Sequence, residues 1–386
     1  LEESDEPVEG KAKVEIEWAE RCGRYAARVL EGLRFGPSPR WMQARLTACG
    51  MRPLGNLIDV TNYVLLETGQ PLHAFDLDKV RGGRIRVRAA GEGEKLTTLD
   101  GKERHLVADD LVIADEERAL VLAGVMGGED AEVGEGTTRV LIESAHFEAA
   151  GIRRSSKRHG IHSESSHRFE RGADPEAVRL ALDRAAELMQ ELAGGRLAKG
   201  VIDVYPGKEE PKEVHLRFDR VTALLGTEIP AEESRKILTK LGFDEIRADE
   251  KGATFRVPSF RVDVSREADL VEEVARIHGY DAIPERAPAA PARVPEVGLA
   301  ERVMERAAAA LSAAGLDEAL HLAFADPAKD GEILRQETSF VRLQNPLAEH
   351  QSALRTSLLP ALLRTVAFNL NRGADSVRLW ERGRVF

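Results

Sequence analysis

Two proline-containing stretches interrupt this chain of 386 residues, and they limit how it can fold. The first runs from Pro206 to Pro211, and the second, from Pro284 to Pro295, contains four prolines. Proline lacks the amide donor that helices and sheets use, and proline-rich segments act as semi-rigid spacers. We therefore expect three folded units, over about residues 14–205, about residues 214–284 and from about residue 300 onward, each long enough to bury a core of its own.

Composition and charge narrow the class of protein. The formal net charge of −11 argues against a protein that coats nucleic acid without sequence preference. No apolar run approaches the roughly 18 residues of a membrane span, so no membrane association is expected. Two cysteines, Cys22 and Cys49, are too few for a disulfide framework and favour the reducing cytoplasm. The first twenty residues hold eight acids against two lysines, and residues 1–13 are expected to form an acidic linker.

Local signals predict an α/β fold for the first unit. Ser38-Pro39 is typical of a helix start and Gly50 of a helix end. Residues 51–123 are expected to alternate short β-rich stretches with turns. A further helix is predicted to begin at Asp174-Pro175 and to end at Gly194-Gly195, because apolar residues recur between them at helical spacing.

The other two units show a different order of elements. In the second unit an α+β pattern predicts a strand, a helix, a strand and a helix, over residues 214–218, 231–241, 254–257 and 267–278. The third unit begins with an alanine-rich helix over residues 300–314 and ends on a strand within residues 379–386, inside an unfinished sheet. The whole chain is therefore expected to be a multidomain α+β protein.

One group of polar residues indicates a binding pocket. Thr61, Asn62 and His73 stand next to apolar runs, and Gly69 and Pro71 set a turn just before the histidine. A few polar groups on a loop held by a rigid scaffold are typical of ligand sites. The alternative is that His73 is a hydrogen-bonded core histidine and that Thr61 packs in a strand.

A glycine-rich run from Ala123 to Gly128 and the carboxylate of Glu143 form a second candidate site. Glycines such as Gly124 and Gly127 let a backbone approach a ligand closely, although a tight turn between strands explains them equally well. Their spacing does not match a dinucleotide-binding loop. Glu143 ends an apolar run and needs a partner, which is either structural or a substrate hydroxyl.

A basic cluster lies between residues 151 and 172, where six Lys and Arg residues stand against two acids. It is either a solvated face or a surface for RNA phosphates. His159, His162 and His167 lie in the same stretch, but no cysteine or paired carboxylate completes a tetrahedral metal site with them.

Four carboxylates, those of Asp263, Asp269, Glu272 and Glu273, form a third candidate site. The last three are spaced to share one face of the predicted helix. Arg276 is expected to pair with Glu272, which leaves Asp269 and Glu273 without a basic partner on that helix. Hard oxygen donors of this kind suit Mg²⁺. The alternative is a charged face that meets solvent or a basic partner.

Taken in order, these segments resemble the beta subunit of bacterial phenylalanyl-tRNA synthetases over nearly all of the chain after about residue 14. The motifs that carry the resemblance are DVTNYVLLE at 59–67, GQPLHAFD at 69–76, GVMGG at 124–128, RFERGADP at 168–175, DLVEEVARIHGYD at 269–281, RTSLLP at 355–360 and LWERGRVF at 379–386. One such motif is weak evidence, whereas the full set in this order is specific.

The resemblance implies three modules. Residues 14–205 are similar to the α/β editing domain called B3/B4, and residues 214–287 to the small B5 domain, which resembles winged or helical DNA-binding folds. Residues 291–386 are similar to the start of an inactive class II synthetase-like domain with an antiparallel sheet, here truncated. The family's N-terminal and C-terminal tRNA-binding domains have no counterpart in this sequence.

The resemblance also implies roles for single residues. The residues expected to act in catalysis are His73, Thr61 and Arg52. The residues expected to bind the substrate are Asn62, Pro71, Ala123, Gly124, Gly127 and Glu143. Among these, Glu143 is expected to accept a hydrogen bond from the hydroxyl of a misattached tyrosine. The residues expected to bind a Mg²⁺ ion shared with the alpha subunit are Asp263, Asp269, Glu272 and Glu273.

The function that the resemblance implies is hydrolytic editing of tyrosyl-tRNA(Phe), together with support of aminoacylation by the alpha subunit in an alpha2beta2 heterotetramer. The RNA partner is expected to be tRNA(Phe), and ATP is used by the complex without being bound by this chain alone. The alternative is a tRNA-binding and assembly module that does not edit. A nucleic-acid-binding regulator acting through residues 214–287 is disfavoured, because that unit holds 15 acids against 12 Lys and Arg residues.

Overall fold

A computed structural model describes residues 1–208, 210–287, 296–335 and 339–386 of the chain. Its contacts define two compact units, Leu1–Arg286 and Ala287–Phe386. The first unit contains two of the three predicted sections, which are called the N-terminal section (residues 1–208) and the middle section (residues 210–286) below. The second unit is called the C-terminal unit. Most of the predicted proline-rich linker, residues 288–295, lies outside the described residues.

The N-terminal section is built from two sheets and a set of helices. Its strands are β1 Glu3–Pro7, β2 Lys13–Ile16, β3 Cys22–Glu31, β4 Leu72–Asp76, β5 Arg84–Ala89, β6 Lys95–Thr97, β7 Glu103–His105, β8 Leu111–Ala114, β9 Ala119–Leu122, β10 Met126–Gly127, β11 Arg139–Phe147, β12 Arg196–Lys199 and β13 Ile202–Val204. Its helices are α1 Arg40–Ala48, α2 Asn56–Thr68, α3 Ala149–His159, α4 Glu164–Phe169 and α5 Ala177–Ala193.

The larger sheet has the strand order β1-β12-β3-β11-β4, and β13 also pairs with β3. The smaller sheet has the order β10-β9-β8-β5-β2, and β6 pairs with β7 as a separate hairpin. The larger sheet lies between the smaller sheet on one face and helices α1, α2 and α5 on the other, because the two cores that it contacts contain these elements. The section therefore has three layers.

Both faces of the central strands are apolar, and side-chain alternation assigns each residue to one core. On β3, Tyr25 and Ala27 face the smaller sheet, whereas Ala26 faces the helices. On β11, Leu141 faces the smaller sheet and Ile142 the helices. On β11, Leu141 and every second residue after it therefore point between the two sheets, and the candidate site lies on this side.

The structure corrects the expected linker over residues 1–13, because part of it is a strand. β1 pairs in parallel with β12, with Glu3 opposite Leu197. The acidic composition is compensated by a buried cation: the Arg28 guanidinium donates to the Glu3 carboxylate at 2.5 Å. Val8, in the turn that follows, is fully buried. Because β1 pairs with a strand that is distant in sequence, the residues around it gave no local indication that they form a strand.

The structure also corrects the β-rich reading of residues 51–123, because α2 occupies the first part of that stretch. The Asp59 carboxylate accepts hydrogen bonds from the amides of Leu54 and Gly55 and from the Ser38 hydroxyl, which satisfies polar groups at the start of the helix. The helix ends at Gly69, whose φ of 79° suits a left-handed cap. Core packing of this face overrides the β-propensity of its branched residues.

The middle section is a smaller α+β fold with its own core. Its elements are β14 Glu213–Arg217, α6 Phe218–Leu225, α7 Ala231–Lys240, β15 Asp244–Ala248, β16 Gly252–Arg256 and α8 Glu267–His278. The strands form an antiparallel sheet in the order β14-β16-β15. The four elements predicted here are confirmed, and α6 and β15 are additional. The helices and the sheet enclose Leu238, Phe255 and Leu270.

The C-terminal unit contains α9 Leu299–Ala313, β17 Asp317–Glu318, β18 Phe324–Ala325, α10 Pro327–Leu334, β19 Ala353–Leu354, α11 Leu359–Leu370 and β20 Leu379–Trp380. The predicted first helix and last strand are confirmed. Its described strands form two short pairs, β17 with β20 in parallel and β18 with β19 antiparallel, rather than the expected single antiparallel sheet. Each strand is only two residues long, so its sequence carries no alternation that could reveal direction.

The chain is thus a multidomain α+β protein, as predicted. Among the helices in the described ranges, none has the length and apolar character needed to cross a bilayer.

Candidate functional site

A cavity opens in the N-terminal section where the edge of the larger sheet faces the end of the smaller one. It is lined chiefly by His73, Gly124, Gly127, Glu143, Phe147 and Phe169. The cavity volume is about 50 Å³, and the space around it, including the mouth that is open to solvent, is about 340 Å³. Strand β4 supplies the histidine, β11 the carboxylate, the β9–β10 turn Gly124, β10 Gly127, and α4 the second phenylalanine.

His73 and Glu143 are direct neighbours on adjacent strands. The register of β4 and β11 pairs them with each other. Both side chains project from the face of the larger sheet that meets the smaller sheet. The Cβ atoms of such cross-strand pairs lie about 4.5–5.5 Å apart. The turn into β4 is held by Gln70, whose amide donates to the carbonyls of Pro71 and Ala145. The two titratable groups are therefore fixed by sheet geometry.

Glu143 is a buried carboxyl group with unused hydrogen-bonding capacity. Its exposed fraction is 5%, and its Oε2 has no hydrogen-bond partner in the described structure. Burial raises the pKa of Glu143 to about 8, and the nearby Tyr25 hydroxyl opposes this rise. The Tyr25 hydroxyl is itself buried and without a well-aligned partner. A buried polar atom without a partner costs about 1–3 kcal/mol, so a ligand hydroxyl placed here would be stabilised.

His73 is neutral at physiological pH. Burial among the cavity walls lowers the pKa of His73 to about 4. Its ring stands edge-on to Phe75, with the ring centroids 4.6 Å apart and the planes at 85°. A neutral imidazole offers one N–H donor and one acceptor nitrogen, which suits positioning of a polar group or a water molecule.

The glycines of the β9–β10 turn are required by close packing around the cavity. Gly124 has a φ of 66°, and a Cβ at this position would lie 2.8 Å from Ile152 Cδ1. A Cβ at Gly127 would lie 2.8 Å from His73 Cε1. Phe147 and Phe169 form the apolar wall, with their ring centroids 5.0 Å apart in an edge-to-face contact. Such a wall suits a flat aromatic ligand.

Helix α4 is tied to the glycine turn by a hydrogen bond at its start. The Ser163 hydroxyl donates to the Val125 carbonyl at 2.6 Å and also accepts from the Ser166 amide as the helix cap. The cap and the turn therefore hold Phe169 in place. Phe169 belongs to the RFERGADP motif, which identified the family but not the contribution of this side chain to a cavity.

The structure brings together Pro71, His73, Gly124, Gly127 and Glu143 among the residues predicted to form the site. Ala123 is buried behind the cavity and does not line it. The remaining residues, Arg52, Thr61 and Asn62, also lie outside its lining.

The position of α2 explains why the remaining residues do not reach the cavity. Helix α2 packs on the face of the larger sheet opposite the one from which His73 and Glu143 project. On this helix the Thr61 hydroxyl donates to the Ile58 carbonyl at 2.7 Å, so it has no free hydrogen to donate to a ligand. Thr61 therefore packs in a helix, not in a strand. Arg52, just before α2, is exposed.

Three of the four carboxylates of the middle section, those of Asp263, Asp269 and Glu273, are paired with arginines or amides. The Arg261 guanidinium bridges Asp263, at 2.7 Å, and Glu273, at 2.9 Å. The Asp269 carboxylate accepts from the amides that precede α8. Glu272 is exposed, whereas Glu273 is buried, so the two do not share a face.

This arrangement does not fit a Mg²⁺ ion, because the Arg261 cation occupies the space between two of the proposed ligands. Within the described ranges no group of three or more His, Cys, Asp or Glu side chains is placed to hold a metal. The expected pairing of Arg276 with Glu272 is wrong, since Arg276 pairs with Glu273 at 2.7 Å. Glu273 also has a second basic partner outside the helix, which spacing along α8 does not reveal.

The basic cluster of residues 151–172 is largely neutralised by acids. Arg154 and Arg158 both pair with Asp109, and these hydrogen bonds lower the pKa of Asp109 to about 2. His159 Nε2 lies 2.8 Å from the buried Asp110 carboxylate, which gives this histidine a structural role. Arg168 pairs with Glu164 in the same way. Most of this cluster is therefore an ion-pair network rather than a free cationic surface.

Comparison with known proteins agrees with this architecture. The family model described as the B3/4 domain matches residues 21–194, the tRNA synthetase B5 domain matches residues 214–280, and the phenylalanyl tRNA synthetase beta chain CLM domain matches residues 283–386. Two of these three models describe tRNA synthetase domains, which places the chain among subunits of aminoacyl-tRNA synthetases. The chain belongs to the family of phenylalanine–tRNA ligase beta subunits, which confirms the resemblance carried by its motifs.

Relatives in this family align over most of the chain. The phenylalanine–tRNA ligase beta subunit of Anaeromyxobacter dehalogenans is 51% identical over 97% of this chain and 47% of its own length. That of Geobacter sulfurreducens is 47% identical over 100% of this chain and 48% of its own length. The chain thus spans about half the length of the curated relatives that it matches.

A solved structure is also similar. It is an N-terminal fragment of the phenylalanyl-tRNA synthetase beta subunit from Pyrococcus horikoshii, with 19% identity, a TM-score of 0.34 and coverage of 71% of this chain and 75% of that one.

Proposed function

We propose that the cavity around His73 and Glu143 hydrolyses tyrosyl-tRNA(Phe), so that the chain edits mischarged tRNA within a phenylalanine–tRNA ligase. The observation that carries the proposal is the unpartnered Oε2 of Glu143 in an aromatic-lined cavity. A phenol ring entering from the open mouth would pack against Phe147 and Phe169 and direct its hydroxyl towards the buried carboxyl. The presence of the B3/4 domain in a synthetase subunit supports this assignment.

The selectivity follows from the difference of one hydroxyl. A phenylalanine side chain in the same cavity would leave Glu143 buried without a partner, whereas tyrosine supplies one. Sites built to hydrogen-bond a substrate hydroxyl reject the analogue lacking it by on the order of 10⁴–10⁵. Because burial keeps the pKa of Glu143 near 8, the group enters this interaction as a neutral acid at pH 7, able both to accept and to donate.

The hydrolytic step needs an oriented water beside the ester. The water oxygen adds to the ester carbonyl carbon, the bond from that carbon to the ribose oxygen breaks, and the ribose oxygen leaves with a proton from the water. His73 stays neutral above about pH 4 and can accept a hydrogen bond from the water without carrying charge. Its pKa makes it a weak base, so we assign it a positioning role and expect the ribose hydroxyl next to the ester to assist proton transfer.

The partners follow from family membership. We propose that the full-length protein assembles with an alpha subunit as an alpha2beta2 heterotetramer in the cytoplasm, binds tRNA(Phe) and supports ATP-dependent aminoacylation by that subunit. This chain alone is expected to have no aminoacylation activity. The expected Mg²⁺ site has no support in the present arrangement of Asp263, Asp269, Glu272 and Glu273, and no step is assigned to it.

The test is release of tyrosine from tyrosyl-tRNA(Phe) by the wild-type chain and by Glu143→Ala and His73→Ala. Both variants should lose most of the activity. Glu103→Ala removes an exposed glutamate on β7 and should retain it. Activity that survives Glu143→Ala would contradict the role of the carboxyl group. Binding of tRNA by a wild-type chain that releases no tyrosine would support the non-editing assembly module instead.

A further inference from the structure

A stretch of the N-terminal section carries arginine without any acid. Residues 32–58 contain Arg34, Arg40, Arg45 and Arg52 but no Asp or Glu, in a chain of net charge −11. Across the described parts of the chain, none of these four side chains pairs with a carboxylate. Arg154 and Arg158 on α3 behave differently, since both are paired with Asp109.

Two aromatic side chains stand among these arginines. Trp41 on α1 and Tyr63 on α2 meet edge to face, with ring centroids 5.3 Å apart and planes at 86°. The Arg45 guanidinium lies 5.2 Å from the Trp41 ring and donates to the Tyr63 hydroxyl at 2.7 Å. Trp41 is 40% exposed, and Arg45 is exposed. The group formed by Arg40, Trp41, Arg45, Arg52 and Tyr63 is called the arginine–aromatic surface below.

We propose that the arginine–aromatic surface binds single-stranded RNA. Exposed aromatic faces stack on unpaired bases, and neighbouring arginines contact phosphates, which is the combination found in proteins that bind single strands. A buried core explanation does not fit Trp41, whose ring is accessible and which lies next to unpaired cations. Residues 32–58 contribute no acid that would repel a phosphate chain. Glu67, one turn after Tyr63 on α2, is paired with Arg184.

The arginine–aromatic surface is connected to the cavity through α2 and β4. The role assigned to it here rests on the proposed function. Tyr63 lies on α2 one residue after Asn62, and the end of α2 leads through Gly69 and Pro71 into β4 and His73. From Tyr63 to the last residue of the helix the rise is about 7.5 Å. Because β4 is an edge strand of the larger sheet, an RNA strand bound on α2 can pass around this edge to the cavity on the other face. We therefore assign the surface the unpaired 3′ end of the tRNA, whose aminoacyl group would enter the cavity from that edge. Arg52 and Asn62 would then act on RNA rather than inside the cavity.

The experiment is a fluorescence anisotropy titration of a dye-labelled single-stranded RNA ending in CCA, which carries no amino acid. Trp41→Ala should weaken binding by about 5- to 150-fold, the range measured for loss of one stacked base. Trp41→Phe keeps a ring and should retain most of the affinity. Arg45→Ala should weaken binding and reduce the dependence of log affinity on log salt by about 0.7 for each phosphate that the arginine no longer neutralises.

The matched control is Arg153→Ala, which removes an exposed arginine from α3. It should leave RNA affinity unchanged. Unchanged binding by Trp41→Ala, or a loss confined to Arg153→Ala, would overturn the proposal and place the RNA elsewhere. Because the probe has no ester, a chain that binds it normally but does not release tyrosine would contradict the proposed function alone. Thermal unfolding of each variant establishes that the fold is retained.

Discussion

Replacing Glu143 by glutamine should stabilise the N-terminal section at neutral and alkaline pH relative to the wild-type chain. The carboxyl has an ordinary pKa of 4.5, and burial raises the pKa of the folded protein's Glu143 to about 8. The folded state therefore holds the proton that the unfolded state releases. The stabilising contribution of the neutral group is fully present below pH 4.5 and is lost as the pH rises towards 8.

The magnitude follows from the difference between the two pKa values. Each pH unit in the middle of this window removes about 1.4 kcal/mol, so about 3 kcal/mol is lost between pH 4.5 and pH 7, and about 4 kcal/mol by pH 8. Glutamine has a similar shape and does not titrate. Burying the glutamine amide changes the free energy of unfolding by the same amount at every pH. The test is therefore how the difference in unfolding free energy between the variant and the wild type changes with pH.

The assay is hydrogen exchange of β3 and β11 amides in wild type and Glu143→Gln, followed by mass spectrometry between pH 4.5 and pH 8 with correction for intrinsic rates. Exchange of these peptides reports the stability of the N-terminal section without contributions from the other sections. We expect the free-energy difference between variant and wild type to grow with pH, in favour of glutamine. A difference that stays constant across the window would refute the reasoning, because Glu143 would then titrate normally in the folded protein.

Three further predictions rest on other contacts. Because burial lowers the pKa of His73 to about 4, the stability that its neutral form contributes is present above pH 6.5 and is lost as the pH falls towards 4. The wild-type chain should therefore lose about 2 kcal/mol more than His73→Gln between pH 7 and pH 4.5, measured by urea unfolding at both pH values. Gly124→Ala should destabilise the fold by about 1–3 kcal/mol in thermal unfolding, because of its φ of 66° and the 2.8 Å contact, whereas Gly134→Ala has open space and should be tolerated. Leu182→Ala should cost about 2–5 kcal/mol, and Leu180→Ala, 67% exposed on the same helix, less than about 0.5 kcal/mol, both by thermal or urea unfolding.

Elements with strong local signals were predictable from sequence. The helices α7 and α8 and the strands β14 and β16 follow from apolar spacing and turn residues, and all four are observed. The strand β1 was not predictable, because its partner β12 lies almost the whole section away in sequence. Helix α2 was missed because Val60 and Thr61 favour strands, although apolar residues Leu57, Val60 and Val64 recur at helical spacing and provided a usable signal.

The candidate site shows the same division between local and long-range information. The motifs identified His73 and Glu143 individually, but their pairing across β4 and β11 depends on strand register. Phe169 and Tyr25 reach the cavity region from distant elements, and no spacing rule connects them to it. The same limit explains the carboxylates of α8, where Arg261 arrives from the preceding loop and pairs with Glu273.

The measurement that tests the central claim most directly is the ratio of single-turnover deacylation rates of tyrosyl-tRNA(Phe) and phenylalanyl-tRNA(Phe) by the wild-type chain at pH 7. A buried acid that needs a ligand hydroxyl predicts a preference for the tyrosyl ester on the order of 10⁴, since phenylalanine leaves Glu143 unpaired. Equal rates for the two esters, or no release of tyrosine at all, would contradict the assignment of this cavity as a site that recognises tyrosine.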